Sequence, residues 1–175
     1  MLRGTIEDVN PDSVLQDERL TTVGLLAETW AGVHATLERL LRQECGLSTQ
    51  WFEVLLRLAR SPGQRLRMCD LAAQVSMSPS GLTRAVDRLE AEGLVRREQC
   101  PGDRRVAWAQ LTDTGLARVE EAVPVHLRHL QDHFFSPLDR ADVVELTRVL
   151  RTLRDHVNPT AAQVSETVDD APPSA

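Results

Sequence analysis

Asp103, Arg104 and Arg105 stand side by side just after Pro101-Gly102, in the stretch CPGDRRVAWAQLT. A Pro-Gly pair marks a turn, so these charges belong to an exposed tip rather than to a core. A guanidinium presents a planar fork of donors suited to phosphate and base edges, and the negative potential of a narrow minor groove attracts arginine. Arg105 is expected to enter such a groove and Arg104 to rest on phosphate, with the Asp103 carboxylate holding a guanidinium in one rotamer. The alternative for the triplet is an ion pair in solvent, worth little. Upstream, SPSGLTRAVDR sets Ser78, Ser80, Thr83, Arg84 and Arg88 along one helix. Small polar and basic side chains in the N-terminal half of a helix read base edges in the major groove. Gly81 lies among them and weakens the helix by about 1 kcal/mol relative to Ala. Close approach to a groove and tight packing on the preceding helix both account for it.

The elements that must position these residues follow from periodicity. Val23, Leu26, Trp30, Val33, Leu37 and Leu40 form one stripe of a long first helix that ends at Gly46. Ser13 is a candidate cap for it. A second helix starts after Ser48 and breaks at Ser61-Pro62-Gly63. An extended piece near Leu66 precedes a short helix from about Cys69 to Val75. After a tight turn, Ser78 caps a helix whose first turn holds Pro79 and whose buried stripe is Leu82, Val86 and Leu89. The two short helices make a helix-turn-helix. LVRREQ and VAWAQL read as strands around the tip CPGDRR, which adds a basic wing. Thr112 opens another long helix, with Pro124 expected to kink it. The last helix, from about Asp139 to Val157, carries the seam Val143, Leu146, Leu150, Leu153 and Val157. Seams of this kind at both ends need a partner surface, which is either a second copy of the chain or the wing domain of the same chain.

The fold class is therefore mainly α (α+β), a winged helix-turn-helix with long N- and C-terminal dimerisation helices. Residues 1–12 and the Pro-rich acidic stretch 158–175 are expected to be disordered. Residues 13–47 together with 112–157 form the helical dimerisation region, and residues 48–111 the DNA-binding domain. The charge is distributed to match. The formal net charge is −6 and every cation is arginine, yet Arg57 to Arg105 holds ten arginines against six acids. A basic middle between acidic ends is the footprint of a nucleic-acid surface. No apolar run approaches the ~18 residues that span a membrane, and the stretch MLRGTIEDVNPDS lacks the basic-then-apolar layout of a signal peptide. A cytoplasmic protein with no membrane role is expected. Cys45, Cys69 and Cys100 fit neither a disulfide framework nor a metal knuckle. No phosphate loop, HExxH, GxSxG or CxxC is present, so neither enzyme activity nor a cofactor is expected.

LAAQVSMSPSGLTRAVDRLEAEGLVRR, followed by DRRVAWAQLTDTG after a long first helix, resembles the MarR family of bacterial transcription regulators over about residues 20–157. Asp103 and Arg105 match the family's D-x-R wing, and Ser80, Thr83 and Arg84 its recognition-helix positions. Val106 departs from the glycine that many relatives carry there. The resemblance implies a winged-helix homodimer on pseudo-palindromic, double-stranded promoter DNA, usually a repressor. It also implies release by a small, often aromatic or phenolic effector, for which Trp30, His34, Trp51 and Phe52 are the candidate lining. Two other signals remain open. Cys100, beside the wing arginines, is a candidate thiol switch. His126, His129 and His133 share one helix, where metal binding competes with a plain solvated face; no metal site is expected. A winged-helix protein-interaction module without DNA is the reading from another class.

Overall fold

The elements begin and end where local chemistry satisfies the backbone. The computed structural model describes residues 14–158 except Ser76, Pro101 and Gly102, and leaves aside the side chains of Cys100 and of residues 103–106. The proposed cap Ser13 and, except for Asn158, the end stretches expected to be disordered therefore lie outside the described residues; Asn158 donates to the Ala73 carbonyl at 3.3 Å. The chain divides into two compact units, Met1–Thr36 and Leu37–Ala175. Helix α1, Glu18–Cys45, runs through both and ends at Gly46 with φ +64, a conformation that glycine adopts without strain.

In the second unit, α2 (Thr49–Ala59) follows at once, with the Ser48 hydroxyl accepting from Trp51 N. The Glu38 carboxylate of α1 accepts from Thr49 N at 2.7 Å and from Thr49 Oγ1 at 2.6 Å. An acid at a helix start satisfies free N–H groups and the helix dipole together. Burial works to raise the Glu38 carboxyl, but the Thr49 hydroxyl, the Thr49 amide and Arg42 outweigh it and hold it at about 2 against the usual 4.5.

A turn at Pro62–Gln64 leads into β1 (Arg65–Arg67), which passes directly into α3 (Met68–Gln74) and then α4 (Pro79–Ala91). Strands β2 (Val95–Cys100) and β3 (Asp103–Leu111) complete an antiparallel sheet in the order β1-β3-β2. The sheet's inward residues Leu66, Val95, Ala109 and Leu111 join α2, α3 and α4 in one core around Leu55, Leu58, Leu71, Leu82, Val86 and Leu89. Pairing continues out to Cys100↔Asp103, with a register irregularity at Gln99/Cys100. The wing is thus longer than VAWAQL suggests: Asp103, Arg104 and Arg105 are strand residues, because cross-strand pairing persists beyond the apolar alternation that marks the strand in sequence.

Thr112 caps α5 (Asp113–Leu130), which continues past Pro124 as one element and passes into a wider π-type turn, Gln131–Phe135. The Arg118 guanidinium of α5 donates to the Cys45 carbonyl at the end of α1, a cation where the helix dipole is negative. Helix α6 (Arg140–Val157) starts with a capping box between Asp139 and Asp142 and has no buried residue. No helix among the described residues is long and apolar enough to cross a membrane.

Candidate nucleic-acid interface

Helix α4 is built to show one face outward. Leu82, Ala85, Val86 and Leu89 are buried, while Ser80, Thr83, Arg84, Asp87 and Arg88 are exposed. Ser78 caps the helix, its hydroxyl accepting from Gly81 N at 3.1 Å and lying 3.3 Å from the Ser80 hydroxyl. The Thr83 hydroxyl donates to Pro79 O at 2.9 Å and keeps its acceptor lone pairs outward. A Cβ on Gly81 would stand 3.0 Å from Ser78 Oγ and 4.0 Å from Met77 Cε. Gly81 therefore leaves room for the cap of its own helix; packing against the body of α3 is not what excludes a side chain there.

Arg84 and Arg88 have no ion pair among the described residues, so their guanidinium donors are available to an outside anion. The acid on that face is neutralised from the wing. Arg97 of β2 pairs with Asp87 at 2.7 Å and donates to Thr83 O at 2.9 Å. Its own amide donates to Glu90 at 2.9 Å. One arginine thus fixes the wing strand to α4 at three points and removes a carboxylate that would repel phosphate. Arg97 counts in sequence as part of the basic patch, but its charge is spent inside the molecule. Arg96 is likewise engaged by Glu98 at 2.9 Å. Nothing in the sequence marks the Arg97 pairing, which depends on where β2 lies against α4; Arg96 and Glu98 stand two apart on one strand and so share a face.

The clamp at the base of the wing is also invisible to periodicity. The Thr112 hydroxyl donates to the carbonyls of Gly93 and Leu94 and accepts from Gly115 N at 3.0 Å. Gly93 has φ +72, which explains the glycine of EGLVRR. Asp103, Arg104 and Arg105 lie on β3 at the outer end of this hairpin, and their side chains, like that of Cys100, are outside those described.

The candidate effector residues fall in both units. Trp30 and His34 of the first unit pair ring to ring at 5.4 Å. Trp30 is 58% exposed: the apolar stripe of α1 to which it belongs is not covered there by the described residues. In the second unit, Trp51 packs partly buried against the core and Phe52 is fully buried, its ring 4.6 Å from that of His126.

The three histidines of α5 and its continuation do not form a solvated face. His129 is 4% exposed, and its Nε2 donates to Glu44 Oε1 at 2.8 Å. Arg128 holds the other oxygen of Glu44 at 2.5 Å. Burial, and then the neighbouring His129, pushes the His126 imidazole below its ordinary range. Only His133 is exposed. No group of three metal-ligating side chains is assembled among the described residues.

Comparison with known proteins agrees with this geometry. The sequence pattern of the MarR family matches residues 47–107. PecS, an HTH-type transcriptional regulator of Dickeya dadantii, is 28% identical over 150 residues, covering 82% of this chain and 86% of PecS. The crystal structure of Sco3205, a MarR family transcriptional regulator from Streptomyces coelicolor in complex with DNA, superposes with a TM-score of 0.75 and 31% identity. That match covers 80% of this chain and 91% of Sco3205. BpsR of Bordetella bronchiseptica, whose DNA binding is regulated by 6-hydroxynicotinic acid, has a TM-score of 0.68 and 25% identity. There the match covers 77% of this chain and 99% of BpsR.

Proposed function

The chain belongs to the MarR family of DNA-binding transcription regulators, and from that premise we propose that it acts as a homodimeric, sequence-specific repressor released by a small ligand. The observation that carries the reading is the exposed face of α4, with Ser80, Thr83, Arg84 and Arg88 outward and Asp87 neutralised by Arg97. A single helix fits the major groove, and side chains of this kind near its N-terminus reach base edges. Asp103, Arg104 and Arg105 would follow the flanking minor groove and its phosphates. The dimer reading is supported by helix surfaces that the described residues leave uncovered: Val23, Leu26 and Trp30 on α1, and Leu150, Leu153 and Val157 on α6. An 18-residue helix with an apolar seam and no buried residue gains little from propensity alone and needs packing. Two copies related by a two-fold axis imply a pseudo-palindromic site, and a promoter-binding protein works in the cytoplasm.

Release by an effector is supported by the ligand response of BpsR and by Phe52 and His126. The rings meet there, and Nδ1 of both His126 and His129 is buried without a hydrogen-bond partner among the described residues. Trp51, on the same helix as Phe52, would add to that aromatic complement, and the Trp30–His34 ring pair of the first unit is a candidate contact by itself.

Binding to duplex DNA from upstream of the protein's own gene tests the reading. Arg84→Ala should weaken specific binding by about 1–3 kcal/mol. Arg39→Ala, at an exposed arginine on α1 that donates to Gln43, should leave it unchanged. Equal losses in the two variants would remove the support for α4 as the reading helix. Run-off transcription from the same promoter should fall as the protein is added.

A further inference from the structure

Leu66 is buried while Arg65 and Arg67 are exposed, so both arginines of β1 project from the outer face of the sheet. The register sets Arg67 opposite Trp108 and Arg65 opposite Gln110 on β3. Their guanidinium carbons lie 5.5 Å and 5.0 Å from the centre of the Trp108 ring. Trp108 thus carries a cation on each of two neighbouring positions, within the range of cation–π attraction. Neither arginine has an ion pair among the described residues. Glu98, the acid paired with Trp108 from the other side, is occupied by Arg96. A stacked guanidinium keeps its N–H edge free while its rotamers are restricted.

Arg67 is also the N-cap residue of α3, and its side chain makes no capping bond. β1 runs into α3 without a linker. In a helix-turn-helix the first helix crosses the phosphate backbone while the second enters the groove, and the two arginines stand immediately before the first. We propose that Arg65 and Arg67, ordered over Trp108, form a phosphate-binding surface for duplex DNA that is separate from α4 and from the wing tip. This rests on the DNA-binding reading above and adds a contact region to it. The two arginines bind; Trp108 is a positioning residue. Because the surface meets the backbone only, it raises affinity without selecting a sequence.

The test is the salt dependence of DNA binding by the full chain, measured on the upstream duplex and on an unrelated duplex of equal length. Each lost phosphate contact lowers the slope of log affinity against log salt by about 1. Arg65→Gln/Arg67→Gln should lower it by about 2 per bound subunit and weaken both duplexes by the same factor. Arg67→Gln alone should lower it by about 1, a second variant that perturbs the sheet less. Trp108→Leu should weaken both duplexes while keeping most of the slope, since the charges remain but are no longer ordered. Trp108→Phe should restore affinity. Wild-type affinity and slope in the double glutamine variant would overturn the proposal, as would a loss confined to the specific duplex; so would a face that serves a protein partner, which leaves both DNA readouts untouched. Failure of the unmodified protein to bind either duplex would instead sink the DNA reading itself.

Discussion

A methyl group added at Gly115 meets the main chain of Leu94. An ideal Cβ there would stand 2.8 Å from Leu111 Cδ1 and 2.9 Å from the Leu94 carbonyl carbon, and closer still to the Leu94 oxygen. That oxygen accepts from Thr112 N at 3.1 Å and from Thr112 Oγ1 at 3.0 Å, so it cannot retreat without loosening the cap of α5. Forcing one methyl into a filled site costs about 1–3 kcal/mol, and two disturbed hydrogen bonds add about 1 kcal/mol each. Gly115→Ala should therefore lose about 3–5 kcal/mol of stability. Gly63→Ala is the matched comparison. Gly63 has φ +63 but nothing within 4 Å of the added carbon, leaving only left-handed strain of about 1–2 kcal/mol. Urea unfolding of both variants, read as the shift in midpoint at unchanged slope, separates them. A Gly115→Ala loss no larger than that of Gly63→Ala would refute the idea that close approach of Leu94, rather than backbone freedom, fixes this glycine.

Arg97→Gln should cost about 1–2 kcal/mol, since a partly exposed charged hydrogen bond to Thr83 O is lost, and should reduce specific DNA binding more than non-specific binding; gel shifts on two duplexes report the ratio. Acid should destabilise the fold in two stages. The folded-state pKa of His126 is depressed, so the unfolded chain takes up that proton first and stability falls as pH drops below about 6.5. The Glu38 carboxyl is also depressed, from 4.5 to about 2, so its contribution is complete above 4.5 and is lost as pH falls towards 2. A shift of that size corresponds to ~3 kcal/mol at most, and solvent screening of a side chain that is 28% exposed brings it to about 1–2 kcal/mol. Thermal melts of Glu38→Gln against pH should lack the lower stage. Leu150→Glu/Leu153→Glu, on the uncovered seam of α6, should give a monomer by sedimentation while leaving the core of the second unit folded.

The parts of the fold legible in sequence are those governed by local chemistry. Ser48, Ser78 and Thr112 cap the helices that follow them, and Gly46 and Gly93 take the positive φ that ends the helices before them. The buried stripe of α4 follows directly from its spacing. What periodicity does not carry is which surface covers a stripe. Trp30 falls on the apolar row of α1, yet it stays 58% exposed among the described residues. His129 falls on a polar-looking row, yet Glu44 of α1 reaches it and it is buried. Charge counting has the same blind spot, because it adds Arg97 to the DNA face although Asp87 and Thr83 consume it. The stacking of Arg65 and Arg67 on Trp108 needs the β1-β3 register, which two distant stretches of sequence do not reveal.

Protection of guanine N7 from methylation reports directly whether α4 occupies the major groove. On DNA from upstream of the gene, the intact protein should protect guanines in two half-sites centred about 10 base pairs, one helical turn, apart, and Arg84→Ala should erase protection within each half-site while contacts outside it persist. Uniform accessibility of N7 across a site that the protein demonstrably occupies would contradict the account.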